Sequence, residues 1–137
     1  MKQYIGTKIV QAEPEMATKD QPGYKVVYAD GYESWSPKSV FEEAYRESSG
    51  MPLGLAIEAL KKGAKAARSG WNGKGMFIFL VPSSRFMVNR APLLGIYPEG
   101  TMIDYRAHID IKNVDGSIST WAPSNSDALA EDWLIIE

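Results

Sequence analysis

The chain has no cysteine and a single histidine, His108. Disulfides and thiolate metal sites are therefore excluded, and one imidazole is too few for a histidine-built metal centre and weak support for a serine–histidine relay. No apolar run approaches the roughly 20 residues that a membrane span needs. The opening Met1-Lys2-Gln3-Tyr4 leads into a strand-like segment and not into the apolar stretch of a signal peptide, so the protein is expected in the cytoplasm. A strong charge of one sign is also missing: 15 Lys and Arg against 17 Asp and Glu leave a net −2, without the basic excess of a duplex nucleic-acid binder. A small anionic ligand stays compatible, because it needs only two or three cations in one pocket. Phosphate-loop signatures are missing too. Gly73-Lys74 is followed by Gly75 instead of Ser or Thr, and the glycine-rich run precedes a strand, whereas the dinucleotide fingerprint opens a helix.

What is present describes an ordinary globular protein. The 137 residues are 45% hydrophobic and 23% charged, enough for one compact domain with a core, or one domain plus a small module. Residues 4–12 read as a strand with Ile5, Ile9 and Val10 as apolar positions, and a polar loop follows over 13–23. Residues 24–28 and 32–35 flank Asp30-Gly31, a hairpin signal. Ser36-Pro37 then reads as N-cap and first helical residue of a helix to about Arg46, with Val40, Phe41, Ala44 and Tyr45 on one face. Residues 1–46 thus form a β-hairpin/helix module. It is too small to bury a core of its own and is expected to dock on the rest of the chain or on another subunit.

Residues 47–50 are polar and end in glycine, marking a boundary, and 51–137 form the second domain. Leu53, Ala56, Ile57 and Leu60 make an apolar helical stripe closed by Lys61, Lys62 and Gly63. A short strand over 64–68 leads into a glycine loop, then a buried strand over 77–81 and another short one over 86–88. Residues 89–100 read as an ordered irregular loop. Residues 102–112 alternate as a single strand, with Ile103, Tyr105, Ala107, Ile109 and Ile111 on one face and Asp104, Arg106, His108, Asp110 and Lys112 on the other. Asp115-Gly116 turns it into 117–121. Ser124-Asn125-Ser126-Asp127 is a capping-box pattern before a short helix over 128–131, and 133–136 closes the chain as an apolar strand. The fold class expected is α+β: a small antiparallel β-sheet with short flanking helices, plus the N-terminal module.

The glycine loop, Gly70-Trp71-Asn72-Gly73-Lys74-Gly75-Met76, is a poor core segment and a good ligand loop. Its three glycines allow positive φ angles and close backbone approach. Trp71 offers a stacking face, Asn72 a donor and an acceptor together, and Lys74 a positive charge. The ionic face of residues 102–112 reads either as a solvated sheet face or as a surface that brings Arg106 and His108 beside the loop as donors to phosphate or ribose oxygens. Arg90 is a further candidate for that role. Trp133 reads as core. Trp121 precedes the polar cluster of Ser124, Asn125 and Asp127 at a helix start, where free N–H groups welcome an anion. Nothing points to a cofactor or to an enzyme.

The motifs Ala59-Leu60-Lys61-Lys62-Gly63, Gly70-Trp71-Asn72-Gly73-Lys74-Gly75-Met76, Tyr97-Pro98-Glu99-Gly100, Tyr105-Arg106-Ala107-His108-Ile109-Asp110 and Leu129-Ala130-Glu131-Asp132-Trp133, in this order, resemble the second Thoeris anti-defence family of bacteriophages. The resemblance implies a non-catalytic sponge. It would bind the glyco-cyclic ADP-ribose signal made by the TIR-domain enzyme of the Thoeris system and hold it uncleaved, so that the effector NADase stays inactive in the cytoplasm of the infected host. The resemblance also extends the implied ligands to cyclic dinucleotide or trinucleotide signals of CBASS. The implied assembly is a homotetramer with pockets between protomers. Carried over, the ligand residues are Trp71 and Asn72, then Arg106 and His108, then Ser124 and Asp127; Gly73, Lys74 and Met76 of the same loop, with Arg90 and Trp121, are further ligand-binding candidates. Asn125 stands where the family more often has glutamine. The N-terminal module departs from the family pattern, which starts near Met51. Two rival readings are a single-stranded nucleic-acid or protein-interaction module using Trp71, Tyr97 and Trp121, and a cyclic-nucleotide-degrading enzyme.

Overall fold

The structure, a computed structural model, describes all 137 residues. It is α+β, with three antiparallel sheets and three short helices. The chain divides into two compact units, Met1–Ser48 and Ser49–Glu137. No helix is long and apolar enough to cross a membrane.

In the first unit β1 (Gln11–Pro14), β2 (Gly23–Val27) and β3 (Glu33–Pro37) form a sheet in that order, followed by α1 (Lys38–Ala44). The Asp30-Gly31 hairpin forms: Gly31 sits at φ 87°, where a side chain would be strained, and the Asp30 carboxylate accepts from the Tyr32 N–H at 2.9 Å. Tyr24, Phe41 and Tyr45 stack with centroids 4.2 and 4.8 Å apart, which ties α1 to β2. Val26 is the unit's one buried large hydrophobic.

Three expectations change here. The strand expected over residues 4–12 is replaced by β1 at 11–14. Residues 4–10 have strand-forming side chains but no ladder partner, and Tyr4 and Ile5 stay exposed. The expected hairpin is therefore a three-stranded sheet. The N-cap of α1 is Pro37, not Ser36, because Ser36 is still paired with Tyr24 in the β2–β3 ladder.

The second unit begins with α2 (Leu53–Lys61), β4 (Lys65–Arg68) and β5 (Phe77–Val81). The next strands are β6 (Ser84–Met87), β7 (Met102–Tyr105), β8 (His108–Lys112) and β9 (Ile118–Thr120). It closes with α3 (Asn125–Leu129) and β10 (Trp133–Ile136). Five strands, in the order β10-β4-β5-β8-β9, make the main sheet, and β6 pairs only with β7. The predicted stripe of α2 packs Leu53, Ala56 and Leu60 onto a row of inward residues, Ala66 on β4, Ile78 on β5 and Ile111 on β8, beside Trp133. Fully burying a side chain such as Leu60 or Ile78 contributes about 1.5–3 kcal/mol. Gly63, at φ 91°, ends α2 as predicted.

The single strand expected over 102–112 is two strands in two sheets. β7 pairs with β6, β8 with β5 and β9, and Arg106 and Ala107 lie between them. Period-2 alternation continues through the break, so the pattern could not reveal it. The buried strand over 77–81 is only half-buried apart from Ile78, which is the residue that faces α2. The last helix starts three residues earlier than expected, directly after its cap Ser124.

Candidate functional site

The glycine loop leaves β4 at Arg68 and enters β5 at Phe77, and three charged side chains fix its root. Arg68 donates from Nε to Asp132 Oδ1 at 2.8 Å and from NH1 to Asp127 Oδ1 at 2.9 Å. Asp132 Oδ2 accepts the Gly70 N–H at 2.8 Å, and the Asp132 carbonyl accepts the Ser69 N–H at 3.1 Å. Asp127 Oδ1 also accepts the Trp71 indole N–H at 3.1 Å. Its other oxygen takes the Ser124 N–H at 3.2 Å, and the Ser124 hydroxyl accepts from the Asp127 N–H, completing the predicted capping box. The Trp133 indole donates to the Asp127 carbonyl at 3.0 Å.

These side chains are only 14–31% exposed, so the ion pairs are worth more than surface ones. Burial pushes the Asp127 carboxyl up, but hydrogen bonds from Arg68, Trp71 and Ser124 outweigh it and hold the group below the ordinary carboxylate value. The Arg68 guanidinium lowers Asp132 likewise, helped by the Gly70 N–H. Arg68 is raised in turn by Asp132 and then Asp127. Carboxylates stabilised as anions and filled with donors make poor general acids and good anchors.

Trp133 is fully buried, and Trp71 and Trp121 both meet it edge to face, with centroids at 5.3 and 5.8 Å and interplanar angles of 79° and 82°. Trp71 is thus half-buried with its N–H turned inward, while Asn72 and Lys74 at the loop tip are exposed. The three glycines do different work. Only Gly75 takes a positive φ, 75°. A Cβ on Gly70 would stand 2.6 Å from Asp132 Oδ2, and one on Gly73 would collide with Met76 Sδ and with Val114. Close approach, not backbone twist, is what Gly70 and Gly73 provide.

The structure therefore brings together Trp71, Trp121, Ser124 and Asp127, with Gly73 and Met76 in the same loop. It does not bring Arg106 and His108 there within one chain. In the β5–β8 register Phe77, next to the loop, faces Lys112, and His108 faces Val81 at the other end. Four residues of strand separate the two ends by about 13 Å. His108 instead lies with Nδ1 3.1 Å from the Arg106 carbonyl and Nε2 3.5 Å from Asp110 Oδ1. Arg90 sits exposed in the irregular loop, where its carbonyl accepts from the Leu94 N–H. Sequence reasoning passed over Arg68 and Asp132. Their signal was available: Arg68 closes the short strand β4 where the glycine loop begins, Asp132 stands directly before the apolar β10, and the ladder places Arg68 opposite Trp133.

A profile of the Thoeris anti-defense 2-like domain matches residues 51–136. The chain belongs to this family. It is 42% identical over 86 residues to Thoeris anti-defense 2 of Bacillus phage SP01, an alignment that covers 63% of this chain and 94% of that protein. The family resemblance carried by the Gly-Trp-Asn-Gly loop is thereby borne out. The whole Arg68–Asp127–Asp132 cluster lies inside the Thoeris anti-defense 2-like stretch, and the three-stranded unit lies outside it.

Proposed function

We propose that this Thoeris anti-defence protein is a sponge, which binds the glyco-cyclic ADP-ribose signal and holds it without cleaving it. The observation that supports this most is a loop rigid at its root and polar at its tip. Arg68, Asp132 and Asp127 hold the backbone and the Trp71 ring in place, so little ordering remains to oppose binding. A cyclic nucleotide is itself rigid. Two preorganised partners favour the high affinity that sequestration by mass action requires.

In this reading Trp71 stacks on the purine, Asn72 reads its edge and Lys74 meets a phosphate. Gly73 and Met76 shape the loop. Ser124 and Asp127 act mainly through Trp71, which they position. Arg106, His108 and Arg90, remote from the loop or not tied to it in one chain, join from a neighbouring protomer of a homotetramer. Cyclic dinucleotide or trinucleotide signals of CBASS are further ligands, and the site of action is the cytoplasm of the infected host.

The test is to incubate the protein with the purified signal, denature it by heat, and assay the supernatant. Recovery of intact signal is expected. A linear or hydrolysed product would overturn the sponge and put a degrading enzyme in its place. Trp71→Ala should weaken binding by about five- to 150-fold, since stacking on an aromatic platform is worth about 1–3 kcal/mol per base.

A further inference from the structure

We infer that the helix-free face of the five-stranded sheet carries an anion site at the rim of the glycine loop, built from Lys65 and Lys112 around Phe77, which takes a phosphate or diphosphate group. Ala66, Ile78 and Ile111 point toward α2. Alternation along each strand then puts Lys65, Phe77 and Lys112 on the opposite face. The Lys65 ammonium lies 4.9 Å from the centroid of the Phe77 ring and the Lys112 ammonium 5.5 Å from the same centroid. Neither forms an ion pair with a carboxylate. Lys65 on β4 and Lys112 on β8 flank Phe77 on β5 from its two sides, so an anion lying along the ring edge would meet an ammonium group at either end.

The donors are available. Lys112 Nζ gives one hydrogen bond to the Gly75 carbonyl at 3.2 Å, and an ammonium has three N–H groups. Gly75 itself sits at φ 75°, which turns its carbonyl toward Lys112 Nζ in a conformation that glycine adopts without strain. Lys74, exposed one residue earlier, adds a third cation at the same end of the loop. The acid beside Lys112 on this face of β8 is Asp110, whose Oδ1 lies 3.5 Å from His108 Nε2. Compact ammonium charges suit the oxygens of a phosphate, which accept from several directions at once. That these phosphates are those of the sequestered nucleotide rests on the sponge reading; the anion site itself rests on the lysines.

The experiment titrates the full chain with inorganic pyrophosphate and, separately, with purified glyco-cyclic ADP-ribose, followed by calorimetry. The proteins are wild type, Lys65→Gln, Lys112→Gln, the charge-preserving Lys112→Arg, and Lys62→Gln as an exposed control at the end of α2. Pyrophosphate should bind the wild type, lose at least about tenfold in affinity in Lys65→Gln and in Lys112→Gln, and be little affected by Lys112→Arg or Lys62→Gln. No pyrophosphate binding by the wild type, or losses no larger than that of Lys62→Gln, overturns the inference. Should Lys112→Gln fail to fold, the salt dependence of pyrophosphate binding by the wild type decides: affinity indifferent to salt overturns the site. Failure of the wild type to bind the cyclic signal, with the pyrophosphate results as expected, removes the sponge reading and leaves the anion site.

Discussion

Replacing Asp127 by alanine removes one carboxylate from three donors at once: the Arg68 guanidinium, the Trp71 indole and the Ser124 N–H. The lost side-chain half of the capping box costs about 1 kcal/mol. A hydrogen bond to a charged group is worth about 1.5–3 kcal/mol, and partial exposure of the pair places this one at the low end. The total is about 2–3 kcal/mol. For a domain of 60–100 residues, 1 kcal/mol moves Tm by about 4–8 °C, so a drop of about 10–20 °C is expected in calorimetry of the unit that contains the loop. Tryptophan fluorescence should change with it, because Trp71 loses its anchor beside Trp133. Asp127→Asn keeps one acceptor oxygen, enough for the Arg68 and Trp71 side or for the Ser124 N–H but not for both, and it removes the charge, so its loss should be smaller than that of alanine but still clear. A shift of less than about 2 °C in Asp127→Ala, with unchanged fluorescence, would refute the claim that this carboxylate holds the loop.

Acid should act through the same groups. Asp127 and Asp132 titrate below their unfolded value of about 3.9, so they bind fewer protons folded than unfolded. Their contribution is complete above that range and is lost as pH falls through the folded values. Chemical unfolding from pH 6 to 2 should show it, and Arg68→Met should flatten that acid limb. Gly70→Ala should push the Asp132 carboxylate away, since the new methyl would stand 2.6 Å from Oδ2, and should cost about 1–3 kcal/mol in the same unfolding assay. Lys74→Ala, at an exposed tip position, should leave Tm within about 1 °C and weaken signal binding, read by melting and calorimetry side by side.

The elements legible in the sequence were those written locally. The α2 stripe repeats at the helical period, Asp30-Gly31 and Asp115-Gly116 specify their own turns, and the Ser124–Asp127 capping box lies within four residues. What stayed hidden was specified by partners far away in the chain. Arg68 meets Asp132 and Asp127 across sequence separations of 64 and 59 residues, and the Arg68 and Asp132 side chains on their own look like ordinary strand-end charges. Residues 4–10 show the complementary error: β-forming side chains without a neighbouring strand do not make a strand. The register that sets Lys112 opposite Phe77 and His108 opposite Val81 carries two candidate residues away from the loop they were expected to join, and the break at Arg106 and Ala107 leaves no trace in the alternation.

The division of the glycine loop into a clamped root and an open tip sets where this protein is free to evolve. Asp132 sits one residue before the buried Trp133, so a change at Arg68, Gly70 or Asp132 is felt in the core. Asn72 and Lys74 carry no such burden. Substitutions at these two positions therefore change the chemistry of the loop tip while the scaffold beneath them keeps its stability.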